Sequence, residues 1–281
     1  MKGRTCLITG ATDGIGKESA IELAKKGYNL ILIGRNKEKG NKVTEEIRKI
    51  AEDIDIDYFT ADLMLMKEVA RVADEVRAKY DKIDILINNV GAYFAFRGTT
   101  EEGFERTFAL NHLGYFLLTE KLLDLVQASG YARIVNVSSS AHYGIDFEFD
   151  NIHGEKKYKG FDAYKKSKLA NVMFTYELAK RIEKKGITAN CLHPGFVATK
   201  FGNNNNFLWR FFIGFAKMMM AISVNDGAKT TVYLACSDEV ENTTGRFFAN
   251  CEVKKGSSKA KNEEHNQKLW KVSERMLEPF L

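Results

Sequence analysis

The sequence predicts an α/β protein whose core is a doubly wound, mainly parallel sheet of seven strands, in a single domain spanning residues 1–281. Three observations predict it. Short β-rich apolar runs alternate along the chain with amphipathic helical segments. The runs are apolar on both faces, as strands must be when crossover helices cover a parallel sheet on both sides. No Pro/Gly/Ser-rich linker, internal repeat or low-complexity run divides the chain, apart from the short tract Asn203–Asn206.

Composition narrows the class. The 281 residues are 44% hydrophobic, ordinary for a soluble globular protein. The formal charge of +5 comes from acidic and basic residues mixed throughout. That pattern describes solvated helix faces and an anionic small molecule better than a nucleic-acid stripe. Cys6, Cys191, Cys236 and Cys251 are widely separated and form no CxxC, so they read as reduced packing residues. The five histidines show no metal-ligand spacing, and no metal site is expected. The first apolar run starts at Thr5, leaving no room for a signal peptide or membrane anchor ahead of it, so a cytosolic location is expected.

The strands are expected at TCLIT (from Thr5), NLILIG (from Asn29), DYFTA (from Asp57), IDILIN (from Ile83), RIVNVS (from Arg133), ITANCL (from Ile187) and RFFAN (from Arg246). In such sheets ligands sit beyond the carboxyl ends of the strands. After the first strand comes TGATDGIG, Thr9 to Gly16, leading into a helix near Ile15. Gly10, Gly14 and Gly16 let the backbone turn and approach a pyrophosphate, which the free amides and dipole of the helix N-terminus stabilise. This strand–turn–helix setting points to a dinucleotide-binding Rossmann fold. The second strand ends at Arg35, where an NAD-selecting enzyme would carry Asp or Glu. Its guanidinium suits a 2′-phosphate, so NADP(H) is favoured over NAD(H). Asp13, inside the glycine loop, opposes that choice by charge. Asp62, after the third strand, is placed to meet the adenine, or else caps a helix. The fourth strand ends in Asn88, Asn89, Val90 and Gly91, whose amides can bridge neighbouring strands and the cofactor ribose or simply make a turn. The fifth ends in Ser138, Ser139 and Ser140, hydroxyls able to donate to a carbonyl and accept from an acid.

Two Tyr–Lys pairs stand four residues apart on what reads as one helix, Tyr164 with Lys168 and Tyr176 with Lys180. Either could bring a phenol and an ammonium together, and spacing does not choose between them.

TGATDGIG, NNVG, the Ser138–Ser140 run and YKKSK, in this order and at these separations, resemble the short-chain dehydrogenase/reductase family across nearly the whole chain. LNHLGYFLLT (Leu110–Thr119), SKLAN and LHPG (Leu192–Gly195) are similar to its retinol-dehydrogenase-like branch. The resemblance selects Tyr164 and Lys168, and leaves Tyr176, about 18 Å further along the helix, as a face residue. It makes Tyr164 the proton donor to a carbonyl oxygen while hydride leaves the nicotinamide. Lys168 then has two roles, favouring the phenolate and hydrogen-bonding the nicotinamide ribose. Useful ionisation of a phenol at neutral pH requires about 4 kcal/mol in favour of the phenolate, and a nearby desolvated ammonium can supply that order of stabilisation. Ser139, rather than Ser138, is expected to orient the carbonyl, and Asn111 aligns with an asparagine that holds a water in the proton relay. The resemblance places Thr12 and Ile15 with the loop glycines against the cofactor, and Leu63 beside Asp62. Pro194 and Gly195 match the turn bordering the nicotinamide, with Val197 following, and Thr199 is within reach of the carboxamide. Lys165 and Lys166 are expected to be solvent charges.

Two segments depart from a minimal frame. Ala141–Ala163 is longer than the crossover needs and is expected to border the substrate cleft or form a surface flap. Phe207–Val224 carries an apolar stripe of Phe207, Phe211, Phe215, Met218, Met219 and Ile222. With Arg210 and Lys217 it is a poor membrane span. A lid over an apolar substrate, covering residues 203–224, is the preferred reading; a core or dimer helix and a membrane-surface contact are the others. The function expected is an NADP(H)-dependent oxidoreductase interconverting a carbonyl and an alcohol on an apolar, retinoid-like or lipid-derived substrate. A cofactor-binding regulator and a sugar-nucleotide epimerase are the rivals. The helices around Asn111 and Tyr164 also offer faces to a second subunit.

Overall fold

The computed structural model describes residues 3–183, 185–195 and 223–281. Its strands are β1 (Thr5–Thr9), β2 (Asn29–Gly34), β3 (Ile56–Thr60), β4 (Ile85–Asn88), β5 (Ala132–Val137), β6 (Ile187–His193), β7 (Phe247–Ala249) and β8 (Glu252–Lys254). They form one sheet in the order β3-β2-β1-β4-β5-β6-β7-β8, parallel up to β7. The sheet thus has eight strands rather than the seven expected. β8 returns antiparallel to β7 through Asn250 and Cys251, both at positive φ (54° and 61°). A two-residue loop of that geometry matches the twist of a hairpin. All three side chains of β8 are exposed, so no apolar pattern marks it.

The described helices are α1 (Gly14–Lys25), α2 (Lys37–Arg48), α3 (Met66–Lys79), the single turn α4 (Arg106–Phe108), α5 (Gly114–Ala128), α6 (Gly160–Arg181), α7 (Val224–Cys236) and α8 (Glu263–Leu277). Side-chain caps set several starts. Asn36, Ser223 and Asn262 each accept a hydrogen bond from a backbone N–H three residues on, at 2.8–3.0 Å, opening α2, α7 and α8. Apolar spacing sets the buried face, as in α3, where Val69, Val72, Ala73 and Val76 are fully buried. One cluster, with α3, α5, α6 and α8, covers one face of the sheet, and a second, with α1, α2 and α7, covers the other. The order reverses between β1 and β4, which opens a crevice at their carboxyl ends.

Helix α8 lies against α6. The Trp270 ring stacks on Phe174 at 5.6 Å and meets Phe116 edge-on at 4.7 Å, and the Arg181 guanidinium lies 4.1 Å from the Trp270 ring centroid. Each aromatic pair contributes about 0.5–1.5 kcal/mol beyond its burial. Phe116 on α5 and Phe174 and Arg181 on α6 thus pack on the chain's own C-terminal helix. Most of the 203–224 lid stripe falls outside the described residues; Ser223 and Val224 instead cap and open α7.

Candidate active site

The crevice between β1 and β4 is floored by the glycine loop. Gly10 (φ 69°) donates to the Ile33 carbonyl at 2.8 Å, and Gly14 (φ 55°) begins α1. A methyl at Gly16 would lie 2.4 Å from both the Gly10 carbonyl oxygen and Asn89 Nδ2. Only a residue without Cβ lets the helix start dock there. The Thr9 hydroxyl, which the sequence did not single out, accepts from the backbone of Asn89 at 2.8 Å and of Val90 at 3.1 Å. Asn89 Nδ2 in turn donates to the Thr9 carbonyl at 2.8 Å. Asn88 is the amide that bridges strands, donating to Asn136 at 2.9 Å and to Thr119 on α5 at 3.0 Å. Asp13 accepts from the Gly14 N–H at 2.9 Å as the cap of α1, which sets its carboxylate a structural task inside the loop.

Around this loop lie the other expected cofactor contacts. Thr12 and Ile15 are half-buried, and Thr12 Cγ2 approaches Gly34, where a methyl would meet it at 3.1 Å. Arg35, next along, is exposed and has no hydrogen-bond or ion-pair partner among the described residues. Asp62 is half-buried and accepts from the Met64 N–H at 3.1 Å, an Asx turn rather than a helix cap. Leu63 is buried, and its carbonyl approaches Gly114 so closely that a methyl there would lie 2.7 Å away. Pro194 and Gly195 follow β6, with Gly195 at φ 87°. Val197 and Thr199 lie outside the described residues.

The catalytic candidates converge from β5, α6 and the stretch before α5. Ser139 lies two residues beyond the end of β5, and its side chain lowers the pKa of the neighbouring Tyr164 phenol. Ser138 instead donates to the Lys168 carbonyl at 2.8 Å and is buried. The alternation of a strand sends the two hydroxyls opposite ways, so Ser139 faces the phenol. Asn111 sits in a π-helical turn (Ala109–Leu113) ahead of α5. Its amide exchanges hydrogen bonds with the Ala92 backbone at 2.9 and 3.0 Å and donates to Ser167 at 2.9 Å. A methyl at Gly91 would lie 3.3 Å from Lys168 Nζ and 3.4 Å from Asn111 Oδ1, so both groups converge on that glycine.

Lys168 is buried, with one ammonium N–H given to the Val137 carbonyl at 3.0 Å. Its Nζ lies 5.9 Å from the ring centroids of both Tyr115 and Tyr164. The Tyr115 hydroxyl donates to the Val90 carbonyl at 2.8 Å, pinning the NNVG turn. Burial pushes Lys168 down to about 7. It pushes Tyr164 up to about 12, against the lowering effect of the Ser139 hydroxyl. In the chain without cofactor, burial outweighs any lowering of the phenol by Lys168. With the ammonium on the Val137 carbonyl and both groups out of water, desolvation favours the neutral form of each. An ammonium with N–H groups to spare, a glycine-cleared wall and a helix N-terminus fit the ribose and pyrophosphate of a nicotinamide dinucleotide.

Aromatic rings flank Tyr164. Tyr93 meets it edge-on at 6.2 Å and Phe161 stacks at 6.4 Å, the first buried and the second 55% exposed. The long connection before α6 is held down: Lys165 donates to the Gly144 carbonyl at 3.0 Å and Lys166 pairs with Glu148 at 2.9 Å. These two lysines thus tether the connection at the surface. A cavity of about 270 Å³ under that connection is lined by Phe108, Phe147, Asp162, Ala163 and Lys166 among others, and includes neither Tyr164 nor Lys168. Tyr176 and Lys180 hold the C-terminal segment. A methyl on Gly256 would lie 2.3 Å from the Tyr176 hydroxyl, and Lys180 pairs with Glu263 at 2.6 Å. Among the described residues no His, Cys, Asp or Glu groups gather as metal ligands, and no helix is long and apolar enough to cross a membrane.

The short chain dehydrogenase family model matches residues 4–207. The chain is 39% identical to retinol dehydrogenase 12 of Mus musculus over 96% of its own length and 85% of that protein. It is 37% identical to retinol dehydrogenase 13 of Homo sapiens, over 98% of the chain and 85% of that protein. A crystal structure of an uncharacterized protein from Mycobacterium paratuberculosis superposes with a TM-score of 0.80 at 29% identity, covering 99% of this chain and 94% of that one.

Proposed function

The chain belongs to the short-chain dehydrogenase family, an oxidoreductase of CH–OH groups, and from that premise we propose that it is an NADP(H)-linked enzyme interconverting an apolar carbonyl and its alcohol. The observation that carries this reading is the convergence of Ser139 and the buried Lys168, its Nζ 5.9 Å from the Tyr164 ring centroid, on the buried Tyr164. A bound nicotinamide dinucleotide supplies the hydride. The residues of the chain manage the oxygen. Tyr164, held protonated by burial, is in the form that can give a proton to a substrate carbonyl oxygen. Ser139 can donate to the same oxygen and polarise the carbonyl. Lys168 then stabilises the phenolate left behind, because a nearby cation is worth most in a dry site. In the alcohol-oxidising direction the same groups act in reverse.

The cofactor preference rests on Arg35, exposed at the tip of β2, where a carboxylate would select a free ribose. The substrate class rests on the Tyr93 and Phe161 rings beside Tyr164 and on relatives named for retinol. A panel of aldehydes and ketones of increasing apolar length, followed by NADPH absorbance, tests it. Rates should rise with chain length and with retinal-like substrates. Preference for short polar carbonyls, or for NADH, would contradict the reading.

A further inference from the structure

His142 is fully buried and plays no part in the scheme above. It ends the single 3-10 turn Ser140–His142 that begins right after Ser139. Its Nδ1 lies 2.6 Å from the Ser139 carbonyl oxygen, and its Nε2 lies 3.0 Å from the backbone nitrogen of Ser257, 115 residues away. A backbone N–H can only donate, so Nε2 accepts and the ring proton sits on Nδ1, donating to Ser139. The ring is held between Tyr143, at 4.0 Å between centroids, and Phe247, at 4.6 Å.

We propose that His142 is a positioning residue, which uses the C-terminal segment as a fixed strut to hold Ser139 at the angle from which its hydroxyl serves the reacting oxygen beside Tyr164. The strut is fastened at three successive residues. Tyr143 donates to the Lys255 carbonyl at 2.6 Å, Tyr176 packs on Gly256, and His142 takes the Ser257 N–H. At the other end, the Ser139 carbonyl also accepts the His142 N–H at 3.2 Å, and Ser139 Oγ accepts the Ala141 N–H at 3.1 Å. With its carbonyl fixed and its oxygen lone pair engaged, Ser139 keeps its hydroxyl proton for the reacting oxygen. This inference rests on the proposed roles of Tyr164 and Ser139.

The test compares wild type, His142→Phe, His142→Gln and Tyr164→Phe in NADPH binding by fluorescence and in aldehyde reduction. Phe keeps the ring volume without either hydrogen bond; Gln keeps a donor and an acceptor. His142→Phe should bind NADPH within about twofold of wild type while kcat falls roughly ten- to hundredfold with little change in KM, the size of effect expected from a misplaced catalytic group. His142→Gln should recover most of that loss. In the wild-type enzyme, 15N-edited NMR of the imidazole should show the proton on Nδ1, a readout that does not depend on whether the Phe variant folds. Wild-type kcat in His142→Phe, or a proton on Nε2, overturns the proposal. If His142→Phe is unimpaired while Tyr164→Phe is inactive, the positioning role fails alone; if Tyr164→Phe is fully active, the chemistry it rests on fails with it.

Discussion

Lys168 Nζ donates a hydrogen bond to the Val137 carbonyl at 3.0 Å, and burial rather than a partner charge lowers its pKa to about 7. A lysine lowered on folding binds its proton in the unfolded chain but not in the folded one between about pH 7 and about 10.4. Stability from this group therefore rises with pH across that window and is lowest below it. Tyr164, shifted up to about 12, acts in the opposite sense only above pH 10 or so. Lys168→Met should flatten the rise and make the cofactor-free enzyme more stable at pH 6, by on the order of a few kcal/mol. Melting temperature against pH for the two proteins checks this, and parallel curves would refute it. Turnover should be lost in Lys168→Met but kept in Lys180→Met, whose exposed pair with Glu263 contributes roughly 0–1 kcal/mol.

The two serines should part company. Ser139→Ala removes the hydroxyl beside Tyr164 and is expected to lower kcat by roughly 10²-fold or more. Ser138→Ala removes a buried bond to the Lys168 carbonyl, so it should cost about 1–2 kcal/mol in urea unfolding with a smaller effect on kcat. The reverse pattern would move the catalytic hydroxyl to Ser138.

Arg35→Ala should lower the preference for NADPH over NADH by roughly 10- to 100-fold, since a planar guanidinium on a phosphate is what it removes. Binding titrations with both cofactors measure the ratio. An unchanged ratio would locate the selectivity elsewhere.

Gly16→Ala drives a methyl to within 2.4 Å of the Gly10 carbonyl oxygen. The backbone must shift, at a cost of roughly 2–3 kcal/mol. Cofactor affinity should fall more than tenfold because the loop amides move with it. A variant with wild-type melting and NADPH affinity would show that the loop is not this tightly packed.

The sheet and the glycine loop were legible because each leaves a periodic or local mark in the sequence, whereas the Tyr164–Lys168 pair is singled out by family resemblance and not by its spacing. Apolar runs mark β1 to β7, with β1 and β2 at the expected bounds and the others displaced at an end by one or two residues, as β4 starting at Ile85 rather than Ile83. β8 was not legible: three exposed residues after an Asn–Cys turn carry neither alternation nor the glycine that usually signals such a hairpin. Thr9, Tyr115 and His142 were also missed. Their contacts run to backbone atoms distant in sequence, such as His142 to Ser257, and a hydrogen bond to a backbone group leaves no residue-type signal at the partner position. The repeated Tyr–Lys spacing left the choice between the two pairs open. Tyr176 and Lys180 fasten the C-terminal segment, a task visible once Gly256 and Glu263 are in place.

The central claim is that the Tyr164 hydroxyl gives up the proton that completes carbonyl reduction. The direct measurement is the rate of NADPH-dependent aldehyde reduction by Tyr164→Phe, alongside its NADPH affinity. A fall in kcat of at least about 10³-fold with affinity retained is the predicted result. A rate equal to wild type would contradict it.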